Sequence, residues 1–169
     1  MRKVVLALVC LVGAWLAPAV AQDWYRLTSA EGAFTATLPA QPAYETVPIR
    51  NGEYTLHQWV YDTAEIAYLV SYIDYHQGHV ANGGGVQAIL NALTRGLHTN
   101  RTPISERHIT HRGYATRDVV VRDNPSGFIV RQRHMMVGDR AYVWNYTGTA
   151  GTENRPDVQR FLNSLVVRR

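Results

Sequence analysis

Cysteine occurs once in this 169-residue chain, at Cys10, and lysine once, at Lys3. Downstream of these positions there can be no disulfide, no thiolate nucleophile and no cysteine-ligated metal. Schiff-base and phosphate-loop lysines are excluded in the same way, and arginine supplies every other basic residue. A long apolar run is also missing after the N-terminus, so no later segment approaches the roughly 20 residues of a membrane-spanning helix. The formal charge is +4, with 17 basic residues against 13 acidic ones. There is no basic run, which argues against a nucleic-acid partner. No internal repeat occurs, and neither does a His-Glu-x-x-His or Gly-x-Ser-x-Gly motif.

What is present begins with a three-part leader. Arg2 and Lys3 are followed by the apolar stretch Val4 to Leu16, and then by Pro18-Ala19-Val20-Ala21. A short positive region, a short apolar region and a small-x-small ending predict a signal peptide over residues 1–21, cleaved between Ala21 and Gln22. Cys10 follows Val9 in the middle of the apolar stretch. A lipid-attachment cysteine would follow a small residue at its end, so Cys10 reads as an ordinary leader residue. Removing Arg2 and Lys3 brings the balance close to neutral. Residues 22–169 are about the length of one domain. The expectation is an exported protein, periplasmic or extracellular, with no stable membrane insertion of the mature chain.

Along residues 22–169 the pattern reads strands, helix, strands, helix. Trp24 to Thr28 and Ala33 to Leu38 read as short strands, followed by a loop from Pro39 to Gly52. Tyr54 to Tyr61 and Ile66 to Tyr75 read as a hairpin. After a glycine-rich stretch, Gly78 to Gly85, comes an apolar stripe of Val86, Ile89, Leu90, Leu93 and Leu97. Its 3.6-residue spacing predicts a helix. Ile104 to His111, Tyr114 to Arg122, Phe128 to Val137 and Arg140 to Thr147 read as strands. The last two are joined by the two-residue turn Gly138-Asp139. Pro156-Asp157 opens a final helix carrying Val158, Phe161, Leu162 and Leu165. Short turns between successive strands imply an antiparallel sheet, and each one-sided helix needs a sheet face to cover.

Two segments carry a resemblance. Glu31 to Pro42 contains Gly32-x-Phe34-x-x-x-x-Pro39-x-x-Pro42, and Arg160-Phe161-Leu162-Asn163-Ser164-Leu165 closes the last helix. Both are similar to the opening and closing motifs of small exported bacterial proteins of the PsbP-like superfamily. The resemblance implies an α+β fold, with an antiparallel β-sheet flanked by two amphipathic helices in an α/β/α sandwich. It also implies a role that is generally non-enzymatic where one is known. The resembling positions carry packing, so no binding residue follows from them.

The sequence offers three constellations that could carry chemistry. Asp74, His76 and His79 lie near a strand end, where Gly78 could bend the chain and bring the histidines together. His108 and His111 are three apart in a strand, so they face opposite ways. Asn82-Gly83-Gly84-Gly85 runs into a helix N-terminus, a place where backbone N–H groups could cradle an anion. The third lies in the last hairpin. If Val137 pairs with Arg140, then Met135 faces Tyr142, Arg133 faces Trp144 and Arg131 faces Tyr146, all on one side. Burying such charges is costly, so this face is expected to be at least partly open. Arg131, Arg133, Trp144 and Tyr146 then form a candidate ligand-binding platform. Its expected occupant is an envelope protein, or an acidic or carbohydrate ligand. No catalytic residue, metal or cofactor is assigned. The leading reading is a non-catalytic binding or accessory module. A metal-dependent or His/Asp-based hydrolase and a structural envelope subunit are the alternatives.

Overall fold

Alternating aromatic and β-branched residues build most of the molecule. The computed structural model of the protein describes residues 23–168. The leader, Cys10 and the expected cleavage after Ala21 lie outside the described residues.

The first hairpin joins β1 (Tyr25–Ser29) to β2 (Phe34–Leu38). Then come β3 (Ala43–Ile49), β4 (Tyr54–Asp62) and β5 (Ala67–Asp74). A four-residue helix, α1 (His79–Asn82), precedes α2 (Val86–Leu97). The chain continues through β6 (Arg101–His111), β7 (Tyr114–Asp123), β8 (Ile129–Val137) and β9 (Arg140–Gly148). It closes with α3 (Pro156–Ser164) and the short β10 (Val166–Val167). Two antiparallel sheets result. One has seven strands in the order β3-β4-β5-β9-β8-β7-β6, and the other three, in the order β1-β2-β10.

This corrects the expected fold class. Among the described residues the protein is mostly β, with ten strands in two antiparallel sheets and three short α-helices, and it is not an α/β/α sandwich flanked by two helices. The aromatic face of the large sheet is covered by a second sheet together with α3. Its other face carries α2 over β7 and β8. Two strands were hidden in the sequence. β3 lies inside the expected loop from Pro39 to Gly52, but it is an edge strand, and an edge tolerates a proline such as Pro48 because one side of its backbone has no partner. β10 is two residues long and joins β2 only after α3 has turned the chain back.

The small sheet alternates in the way a one-sided strand should. Phe34, Ala36 and Leu38 are buried, and Thr35 and Thr37 between them are not. Val158, Phe161 and Leu162 from α3, with Leu165 just after it, pack with them against Tyr68, Tyr142, Trp144 and Tyr146. Each such fully buried apolar side chain contributes about 1.5–3 kcal/mol. Beneath α2, Ile89 and Leu90 meet Met136 and Ala141, and Leu97 meets Val119, Val121 and Val130. Gly32, the glycine of the first motif, permits a close approach. A Cβ there would lie 2.8 Å from atoms of Phe34, Ser29 and Tyr72. Among the described residues no helix is long and apolar enough to cross a membrane.

Candidate functional site

The hairpin register is the one the two-residue turn dictates. Val137 pairs with Arg140, Met135 with Tyr142, Arg133 with Trp144 and Arg131 with Tyr146. The exposure of this face is not as expected. Arg131 is 2% exposed, Arg133 5%, and Trp144 and Tyr146 are fully covered. The four side chains lie inside the molecule, beneath α3 and the residues that lead into it, so the partly open platform is corrected to an interior layer.

Asp118 on β7 is what makes this burial affordable. It faces Arg133 across the strands and takes two bonds from Arg131, Nε to Oδ1 at 3.0 Å and Nη2 to Oδ2 at 2.8 Å. Arg133 Nε and Arg107 Nη2 also reach its Oδ2, at 3.3 and 3.1 Å. Burial pushes the Asp118 carboxyl up, but the bonds and charges of these arginines outweigh it and hold the group below its ordinary value. Further guanidinium hydrogens reach backbone carbonyls and asparagine side chains. Arg133 Nη1 donates to the Leu162 carbonyl at 2.7 Å, and Trp144 Nε1 donates to the same oxygen at 3.0 Å. Arg131 Nη1 donates to the Glu153 carbonyl and to Asn154 Oδ1. Buried charge is tolerated where every donor has a partner. Sequence reasoning missed Asp118, although the Asn124–Gly127 turn would have placed it opposite Arg133.

Asp74, His76 and His79 do not converge. Asp74 accepts from Arg140, Nη2 to Oδ2 at 2.7 Å, while His76 turns toward Glu53 at 3.8 Å. His79 stacks flat on Tyr75, with ring centroids 4.3 Å apart. Among the described residues no group of three or more histidine, cysteine or acidic side chains is arranged to hold a metal. The glycine-rich stretch is bonded to itself: Gly83 N donates to His79 O, Gly84 N to Ala81 O and Gly85 N to Val80 O. Those N–H groups are not free for an anion. His108 and His111 do part as expected. His108 is exposed, whereas His111 is buried and its Nε2 donates to the Leu165 carbonyl at 2.8 Å.

An accessible concavity lies elsewhere, where the start of β1, the β4–β5 turn and the N-terminus of α3 meet. This cleft of about 460 Å³ is lined by Trp24, Tyr61, Ile66 and Tyr68, with Pro39 and Pro156 at its sides and Arg155 and Asp157 at its rim. Tyr68 is its floor, supported from behind by Tyr146 at 5.1 Å and Phe161 at 5.0 Å between centroids. The Tyr68 hydroxyl donates to Asp157 Oδ2 at 3.1 Å. Burial and the Asp157 charge push this phenol well above its ordinary value, so it stays a neutral donor. Arg155 grips Asp157 with Nε to Oδ1 at 3.1 Å and Nη2 to Oδ2 at 3.0 Å. Arg160 stands over the Trp24 ring, 4.6 Å from its centroid. Tyr146 and Arg131 therefore sit one layer behind the cleft. Tyr146 shares a hydrogen bond with Thr152 at 2.8 Å, and Arg131 holds Glu153 and Asn154. Together they fix the segment that delivers Arg155.

No family model matches this chain, and no curated protein does. Solved structures are similar to it in fold. A Pseudomonas aeruginosa protein of unknown function, PA94, aligns with a TM-score of 0.51 at 12% identity, covering 86% of this chain and 98% of that one. A Bacteroides thetaiotaomicron protein aligns at 0.41 and 9% identity, covering 88% and 49%. The matches include a PsbP-type structure, the cyanobacterial CyanoP of Synechocystis sp. PCC 6803. It aligns with a TM-score of 0.48 and 8% identity over 92% of this chain and 98% of that one.

Proposed function

We propose that this chain is an exported, non-catalytic binding or accessory module, and that its binding site is the cleft walled by Trp24 and Tyr61 and floored by Tyr68. The three-part leader supports export. The observation that carries the binding reading is the cleft itself. Its volume of about 460 Å³ falls in the usual small-ligand range of about 300–1,000 Å³. It combines aromatic walls with a few fixed polar groups, the arrangement that binds and orients a ligand. The hydrolase alternative gains nothing from the geometry, because Asp74 is committed to Arg140, His76 lies toward Glu53 and His79 stacks on Tyr75.

Two measurements test this reading. N-terminal sequencing of protein recovered from the envelope or medium is expected to begin at Gln22, and retention of residues 1–21 in the cytoplasm refutes export. For binding, a small-molecule extract of the envelope is expected to raise the melting temperature of the processed protein. Substituting Trp24 and Tyr61 by alanine together should abolish the rise. An equal rise in the folded double variant, or no rise in the parent, overturns the cleft as the site.

A further inference from the structure

The chemistry of the cleft also narrows the class of ligand, if the cleft is the binding site as proposed above. Arg155 and Asp157 neutralise each other through two bonds. The one charge left over, on Arg160, lies over the Trp24 ring and is exposed, where water and salt screen it. A charged ligand would have to compete with the Arg155–Asp157 pair and would gain little from a solvated guanidinium. An apolar ligand would leave the rim pair unused. Aromatic-lined grooves also take extended proline-rich peptides, and an oligoproline probe separates that occupant from a sugar.

What remains available is distinctive. Two half-buried aromatic side chains, Trp24 and Tyr61, flank the opening. Arg155 is 53% exposed and gives only Nε and Nη2 to Asp157, which leaves its two Nη1 hydrogens for a ligand. Asp157 accepts three bonds, and an ionised carboxylate has about four acceptor positions. A free donor group therefore lies beside a free acceptor position, next to aromatic faces. Neighbouring hydroxyls on a sugar ring match that pair, one donating to the carboxylate and the next accepting from the guanidinium. The C–H bonds on the flat side of such a ring pack on an aromatic face.

We propose that the cleft takes the ring of an uncharged sugar, packed against Tyr61 and the part of Trp24 that Arg160 leaves open, with adjacent hydroxyls read by Asp157 and Arg155. The volume suits a mono- or disaccharide better than a long chain. Interior residues hold the reading groups in place, since Arg131 and Tyr146 fix the segment that precedes Arg155.

Saturation-transfer NMR and tryptophan fluorescence on the processed protein test this directly. The probes are glucose, galactose, N-acetylglucosamine and maltose, with glucuronate, glucosamine and an oligoproline peptide as counter-probes. At least one neutral sugar is expected to bind. Its affinity should fall by about tenfold or more in Trp24→Ala and in Arg155→Ala, with melting temperatures close to the parent's. If Trp24→Ala fails to fold, Arg155→Ala, altered at an exposed side chain, carries the test. The proposal is overturned if no neutral sugar binds, if the charged sugars bind more tightly, or if folded variants keep full affinity. Binding of oligoproline alone, sensitive to Trp24→Ala, would overturn the sugar while leaving the cleft as a binding site.

Discussion

Acidification should destabilise this protein well before its carboxylates are protonated, and His134 is the reason. The imidazole lies on β8 under α2 and is 1% exposed. Burial pulls its pKa down from 6.5 to about 4, helped by the Arg117 and His98 charges nearby. Its Nδ1 has no partner, and Nε2 meets the Gln132 amide at 2.9 Å, so the interior offers a proton on this ring no counter-charge. Between pH 6.5 and 4 the unfolded chain binds that proton and the folded chain does not. Stability is therefore complete above pH 6.5 and declines as pH falls, levelling near pH 4. At about 1.4 kcal/mol per pH unit, the loss is roughly 2 kcal/mol at pH 5 and about 3 kcal/mol at pH 4. His111, also lowered chiefly by burial, adds in the same direction. Asp118 belongs to another window, because a depressed carboxylate adds stability that is lost only below the ordinary value of 3.8. Urea unfolding at pH 7, 6, 5 and 4.5 reads the slope, and His134→Gln should flatten most of it. An unchanged slope in that variant refutes the reasoning, as does an NMR titration that places His134 near 6.5.

Two stability predictions follow from the packing. Asp118→Asn removes the negative charge shared by two buried arginines, and should cost about 3–5 kcal/mol in thermal or urea unfolding. A loss under about 1 kcal/mol would mean that the carbonyls of Leu162 and Glu153 suffice alone. Gly32→Ala puts a methyl within 2.8 Å of Phe34, Ser29 and Tyr72, and should cost about 1–3 kcal/mol as an overpacked core. A melting temperature equal to the parent's would show that the β1–β2 turn relaxes freely.

Local signals were the legible ones. The 3.6-residue stripe gave α2 its full extent from Val86 to Leu97, and Pro156-Asp157 marked where α3 begins. Gly138-Asp139 set the pairing of β8 with β9 residue by residue. What could not be read is what lies over each face, because that depends on contacts between segments far apart in the chain. Arg131 and Trp144 look like surface until α3, some 20 residues on, is known to lie over them. The cleft escaped for the same reason. Trp24, Tyr61 and Arg155 belong to three distant segments and form no motif in the sequence. Asp118 is the instructive exception, since extending the register through the Asn124–Gly127 turn places it opposite Arg133 without any structure.

The expectation of an open face rested on the cost of burying a guanidinium, and that cost is real. It applies to an unpaired charge. In this interior two arginines share one carboxylate, and the Nη1 group of each also reaches a backbone carbonyl, of Leu162 for Arg133 and of Glu153 for Arg131. The Leu162 oxygen lies in the last turn of α3, where carbonyls lack helical partners and the helix dipole favours a cation. Arg133 thus satisfies a helix end, and the helix end satisfies Arg133. Arg131 does the equivalent for the segment before α3. The same helix presents Asp157 at its first turn and Arg160 beside Trp24, so the buried cluster that anchors α3 from below also sets where the cleft's polar rim stands. An apolar layer of the same volume could hold the helix down, but it would not fix the helix position along its axis, because hydrophobic contact is non-directional. Directional bonds at both ends of α3 do fix it.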